Sequence, residues 1–376
     1  MPGALLFGGE PGVVVSGVCS SGGRRVCDHG VMIVLDGSAG EGGGQVLRSA
    51  LSLSLITGQA FRLEHVRARR KPPGLKAQHL TCVVGAAALG DAELEGATLG
   101  SETLAFHPRR LKAGDFSFDV GTAGSMSLLL HCLSYPLAFA GGGTLTLRGG
   151  SHVIASPTVD YVTRVWAPLV ARWGLPVQAN LELAGFFPEG GGSLRATVVA
   201  PSTGPAFETL ERPSIDRLLV RAVVGGLPAE IAARQADTAR RALLEEGVPV
   251  EVETESLPTR SSKGSAVLIV AQARGTPIAG FSALGARGVP AEEVGRTAAR
   301  EARAWLRGEG ALDEHAGDQV LLPMGLAAAG RLGPARAHTF RAHVVSDHLT
   351  THAAVLEAFL PVRVSVAGDE VRVAPR

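Results

Sequence analysis

The chain has 376 residues, 45% hydrophobic and 19% charged, which describes a folded protein with material for two or three domains and excludes a disordered one. Its 36 Lys and Arg nearly balance 35 Asp and Glu, so no global field points to nucleic acid or membrane, and any polyanion site must be a local patch. Four cysteines without CxxC or zinc spacing indicate a reduced, cytoplasmic protein, and no apolar run reaches a membrane span.

Residues 1–31 are rich in Gly and Ser and lack the order of a signal peptide. They read as a poorly ordered extension, or as the product of an upstream start codon, ahead of the strand "MIVLDG" that opens at Met32. Next comes a Gly loop and a helix over about 44–56, then the basic stretch "RARRKPPG" and a helix over about 74–89. A second block repeats the order: the strand "FSFDV", the Gly turn "GTAGS", a helix, and the strand "GTLTLRGG". Its second helix opens at "SPTVDY", with Pro157 suited to the first turn. Residues 202–278 differ, with one helix over "AEIAARQADTARRALLEEG" and the strands "PVEVETES" and "SAVLIVAQA", and read as a small inserted domain. The last block has helices over "PAEEVGRTAAREARAWLRG" and "DQVLLPMGLAAAG", a strand at "HTFRAHVVS", a helix after His348 and the strand "VRVSVAG". Three repeats of strands with two helices predict an α/β sandwich, with 32–201 and 279–376 forming the large domain.

Several stretches carry chemistry-bearing residues. "DGSAGEGGGQ" is neither a Walker loop nor a dinucleotide fingerprint, yet glycines before a helix leave N–H groups open to an anion. Glu41 within it would repel a phosphate unless a divalent cation sits between them. Arg67, Arg69, Arg70, Lys71 and Lys76 crowd one short stretch. Such a run is commonly a solvated face, but before a helix it also suits a terminal phosphate, and Arg48 could aim at the same spot. The run has no interleaved aromatics, so base stacking along a strand is not indicated. Asp318 and Gln319 stand at the front of an apolar helix, either as N-cap and solvent-facing residue or as readers of a nucleotide's polar edges. Ser346 and Asp347 are cap candidates that put His348 in the first turn of the closing helix, where the dipole opposes protonation. For a lone His, packing or a hydrogen bond is the commoner reason for such a placement. The Glu189-Gly-Gly-Gly echo of Glu41-Gly-Gly-Gly reads as a relic of repetition.

Together, "LDGSAGEGGGQVLRSALSLSLITG", "RARRKPPGLKAQHL", "GTAGS", "DQVLLPMGLA" and "AHVVSDHLTTHAAVLEAFLPV" resemble the RNA 3′-terminal phosphate cyclases, over essentially Met32 to the C-terminus. The resemblance implies ATP-dependent conversion of an RNA 3′-phosphate to a 2′,3′-cyclic phosphodiester through a histidine-bound AMP, a ligase-class reaction releasing AMP and pyrophosphate. The nucleophile position falls on His348, with His338, His343 and His352 nearby. Glu41 would hold Mg2+ or Mn2+, while Pro157, Asp318 and Gln319 match positions around the adenosine. Arg48, Arg67, Arg70, Gln78 and His79 match a polar cluster near the phosphates and the RNA end. Relatives commonly carry Tyr where this chain has His315 and Gln where it has His131, which bears on nucleotide preference. Two alternatives stay open at this stage: a non-catalytic cyclase-like ribosome-assembly factor, and an enolpyruvyl transferase of similar repeated architecture. A dimer is one open alternative for its assembly.

Overall fold

The computed structural model describes residues 13–15, 32–40, 43–204 and 208–376. The chain begins with β1 (Val13–Val15), β2 (Ile33–Asp36), α1 (Gln45–Thr57), β3 (Phe61–Glu64), α2 (Ala77–Gly90), β4 (Glu93–Glu95) and β5 (Leu104–His107). β2 and β3 pair in parallel across α1, and β5 lies antiparallel between β3 and β4. The rest of the expected N-terminal extension lies outside the described residues. Val13–Val15 instead add an antiparallel edge strand to β2.

The second block has β6 (Gly114–Asp119), α3 (Met126–Ala140), β7 (Gly142–Gly149), α4 (Val159–Tyr161), a π-helical turn over Val162–Trp166, α5 (Ala167–Ala171), β8 (Val177–Leu183) and β9 (Gly192–Val199). Its sheet runs β6-β7-β9-β8, with β6 and β7 parallel. Thr158 rather than Pro157 begins the second helix: its hydroxyl accepts from Tyr161 N at 3.1 Å, so Pro157 lies just outside the first turn.

The third repeat is split. Its first strand, β10 (Thr209–Leu210), pairs in parallel with a strand far along the chain. Between them come β11 (Arg217–Gly225), α6 (Ala229–Leu243), β12 (Val250–Ser256), β13 (Gly264–Ala273), β14 (Thr276–Leu284) and α7 (Ala291–Arg307), with a sheet ordered β12-β11-β13-β14. The repeat resumes with α8 (Glu314–Gln319), α9 (Leu321–Ala328), β15 (His338–Arg341), α10 (Asp347–Phe359), β16 (Val362–Ala367) and β17 (Glu370–Pro375). Its order, β10-β15-β17-β16, is that of the second block.

Two cores follow this division. One spans all three repeats, from Ile33 to Val373. The other gathers Leu218, Val220, Ile269 and Phe281 with Ala232, Ala236 and Ala239 of α6 and Ala298, Ala299, Ala302 and Trp305 of α7. The alanine faces let α6 and α7 lie close together, which places α7 with the inserted unit rather than with the final block. The inserted fold therefore reaches past residue 278, to Trp305, and β10 before it belongs to the last sheet. Arg212 closes the circuit: its guanidinium lies 4.1 Å over the Trp305 ring and donates to carbonyls at the end of α7. Among the described residues, no helix is long and apolar enough to cross a membrane.

Candidate active site

A cavity of about 1010 Å³ opens where the starts of α1, α2, α8 and α10, the loop before α4, and the inserted unit meet. Arg48, Arg67, Arg70, Gln78, His79, His131, Pro157, His315, Asp318, Gln319 and His348 all line it. The remaining candidate, Glu41, lies outside the described residues.

One end is cationic. Arg48, Arg67, Arg70, Lys71 and Lys76 border it. Arg48 Nη2 donates to Gln45 Oε1 at 2.9 Å. Burial lowers its pKa. Arg67, at φ 55°, is partly spent on structure, because its Nη1 donates to Pro72 O at 3.1 Å and Gly74 O at 2.9 Å. Those bonds curl the basic loop so that Arg70 and Lys71 reach the cavity. Gln78 is also committed in part: its Oε1 accepts from Ser125 N at 2.7 Å, tying α2 to the turn that starts α3. His79 is buried, with Nδ1 accepting from Lys76 N at 3.3 Å. Burial, then Arg48, Arg67 and Lys76, push its pKa down to about 3, so the ring is neutral and presents an N–H at Nε2.

The other end is built by α3, α8 and α10. Ser346 caps α10 by accepting from Leu349 N at 3.2 Å, which holds half-buried His348 in the first turn. His352, one turn on, approaches Asp318 at both the main-chain O (3.0 Å) and Oδ1 (3.2 Å) through Nδ1. Both are acceptors that a proton on Nδ1 would meet, and Nε2 is buried and, among the described residues, without a protein partner. Burial acts to raise the Asp318 pKa, but the His352 bond and the charges of His352, His348 and Arg48 outweigh it and hold the carboxylate ionised. Asp318 is not the N-cap expected from spacing. Asp313 caps α8, accepting from His315 N and Ala316 N, both at 2.9 Å. Asp318 therefore falls in the last turn of α8, facing α10.

His131 stacks on Trp166, with centroids 4.3 Å apart, and burial followed by Arg48 lowers its pKa to about 3. Among the described residues, His131 Nε2, Gln319 Oε1 and Ser282 Oγ are buried without hydrogen-bond partners beside the same cavity. Left so, each costs about 1–3 kcal/mol, which a bound polar ligand or water would relieve. His338 packs edge-on against Trp173 away from the cavity, and His343 does not line it, so of the four clustered histidines only His348 and His352 face it. Sequence reading named His352 only as a neighbour of His348 and gave it no role, although its four-residue step from His348 puts both on one helical face. It missed Gln45 and the wall from Ser282, Leu284, Glu293 and Thr297, which no local pattern marks.

Helix starts converge on a cation-lined cavity with neutral imidazoles and an ionised carboxylate inside it, a combination whose chemistry suits an anionic ligand. The family model described as RNA 3′-terminal phosphate cyclase matches residues 39–366. The chain belongs to that family, whose named members are ligase-class enzymes. It is 41% identical over 344 residues to the RNA 3′-terminal phosphate cyclase of Methylococcus capsulatus, covering 89% of this chain and 93% of the relative. The protein of that name from Ralstonia nicotianae is 41% identical over 342 residues (90% and 94%). That from Pyrobaculum neutrophilum is 42% identical over 334 residues (88% and 93%).

Proposed function

We propose that this chain closes an RNA 3′-phosphate into a 2′,3′-cyclic phosphodiester at the expense of ATP, with His348 carrying AMP between the two. The observation that carries the reading is the meeting, in one cavity, of a cationic end and a first-turn histidine beside the Asp318–His352 pair. A ring nitrogen of His348 attacks the α-phosphorus and the bond to pyrophosphate breaks, leaving AMP on nitrogen. An oxygen of the RNA 3′-phosphate then takes the AMP, breaking the phosphorus–nitrogen bond. Finally the 2′-OH, losing its proton, attacks the RNA phosphorus and expels AMP. The N–H groups at the start of α10 favour the charge that builds on the phosphate under attack.

Adenosine would lie among Pro157, His131, His315, Asp318 and Gln319, where the unpartnered His131 Nε2 and Gln319 Oε1 supply an acceptor or donor and an acceptor. The 3′-phosphate would enter the cationic end, met by Arg48, Arg70 and the Nε2–H of His79, with Arg67 and Gln78 holding its walls. Among the described residues no group of three or more His, Cys, Asp or Glu could hold a metal ion. The proposed Mg2+ or Mn2+ therefore depends on Glu41 and the nucleotide's own phosphates, and no step above is routed through it.

The test is incubation with α-labelled ATP and Mg2+. Label should join the protein through an acid-labile, alkali-stable bond in wild type and be lost in His348→Ala, and an RNA 3′-phosphate should become phosphatase-resistant. Absence of label in wild type, or label that survives in His348→Ala, overturns the proposal. The first outcome is what a non-catalytic assembly factor or an enolpyruvyl transferase would give.

A further inference from the structure

We infer that the loop carrying Phe187 is a stacking platform for the single-stranded RNA leading into the cavity, an inference that rests on the RNA-end reading above. Phe187 is 55% exposed, and among the described residues no other Phe, Tyr or Trp side chain is so open to solvent. Its neighbour Phe186 is buried against the His152 ring, with centroids 4.8 Å apart, so the loop is anchored while Phe187 faces outward. The loop is also joined to the cavity on two sides. Phe187 N donates to His152 O at 3.3 Å, and the residues that follow His152, Val153 and Ile154, line the cavity. On the other side Gly190 lies against Ala123, a Cβ there falling 2.8 Å from the Ala123 Cα, in the turn whose Ser125 N is held by Gln78 of the cationic end.

Ile154 and Val289, 69% and 44% exposed, add exposed apolar lining to the cavity itself. Charge sets the orientation of a strand crossing it. Exposed Glu189 beside Phe187 repels phosphodiesters, while Arg70, Lys71 and Lys76 attract them. The backbone therefore turns toward the basic loop and the bases toward Phe187, a sequence-tolerant arrangement because every base has a stacking face. The basic run lacks aromatics of its own, which argued against stacking from the sequence. The fold supplies one from the second repeat.

The experiment compares two hexanucleotide 3′-phosphates on the same enzyme, one intact and one abasic at the two positions before the terminal nucleoside. Wild type should prefer the intact RNA in kcat/KM by roughly 5- to 150-fold, the equivalent of about 1–3 kcal/mol of stacking. Phe187→Ala should bring the ratio near one and Phe187→Trp should keep it. Because each ratio is measured within one protein, differences in folded fraction cancel. A preference that survives Phe187→Ala, or is absent in wild type, overturns the platform. Failure of wild type to close either RNA overturns the reading of the substrate itself.

Discussion

At Gly44, the last residue before α1, the backbone is ordinary (φ −81°) but the space is not. A Cβ there would stand 2.4 Å from His79 Nε2 and 2.7 Å from Arg48 Nη1. Gly44→Ala should push both side chains out of the cationic end, lowering kcat/KM for RNA by at least roughly tenfold and stability by about 1–3 kcal/mol. Steady-state kinetics and urea unfolding check the two halves. His79 makes a pH prediction. Burial, then Arg48, Arg67 and Lys76, depress its pKa to about 3 in the folded chain, against about 6.5 when unfolded. As pH falls below 6.5 the unfolded chain binds the proton first, so the stability present above that pH is lost progressively toward 3, at about 1.4 kcal/mol per unit. His79→Gln should flatten urea-derived stability between pH 6.5 and 4.5; an unchanged slope would show that the ring is not held neutral.

Between elements, a buried charge network joins the inserted unit to the cavity wall. Arg221 of β11 donates to Asp160 of α4 at 2.7 Å, and Asp160 meets His152 at 2.8 Å. Arg221 also reaches Glu255 at 2.5 Å and Glu253 at 3.4 Å on β12, and Arg164 reaches Glu253 at 2.9 Å. Burial acts to raise the Asp160 pKa, but His152 and Arg221 prevail and hold it far below the carboxylate range. The cavity-lining segment 153–158 runs between His152 and Asp160, so the network fixes both its ends. Arg221→Met strands Asp160 and should cost about 3–5 kcal/mol in denaturant unfolding. In a double-mutant cycle with Asp160→Asn, the two losses should be clearly non-additive. Additive losses would mean that the contact is not coupled.

Across the whole molecule, the cavity draws its walls from all three repeats and from β14 and α7 of the inserted unit. A nucleotide bound there would bridge both cores. At 100 times its Kd it should add about 2.7 kcal/mol to unfolding and raise the melting temperature by a few degrees, in a single transition. Differential scanning calorimetry with and without ATP and Mg2+ measures this; a shift confined to one of two separate transitions would contradict the bridge. The interruption of the third repeat also belongs to this scale. β10 pairs with β15 across more than a hundred intervening residues, and no local pattern in a two-residue strand announces that pairing.

Much of the site could be read from local pattern. Gly-rich turns before apolar helices, the basic run and the Ser346 cap are properties of a few neighbouring residues, and they predicted the repeats and singled out Arg48, Arg67, Arg70, Asp318, Gln319 and His348, whereas Gln78, His79, His131, Pro157 and His315 entered through the family resemblance. Only tertiary structure decided which of those side chains are already committed: Gln78 to the α3 turn, Arg67 to its own loop and Asp318 to His352. It likewise assigned α7 to the inserted unit and left Phe187 exposed on a loop bonded to His152, next to the cavity-lining segment. Helix starts and charge runs act over a few residues along the chain, whereas desolvation and hydrogen-bond competition depend on groups that only folding brings together.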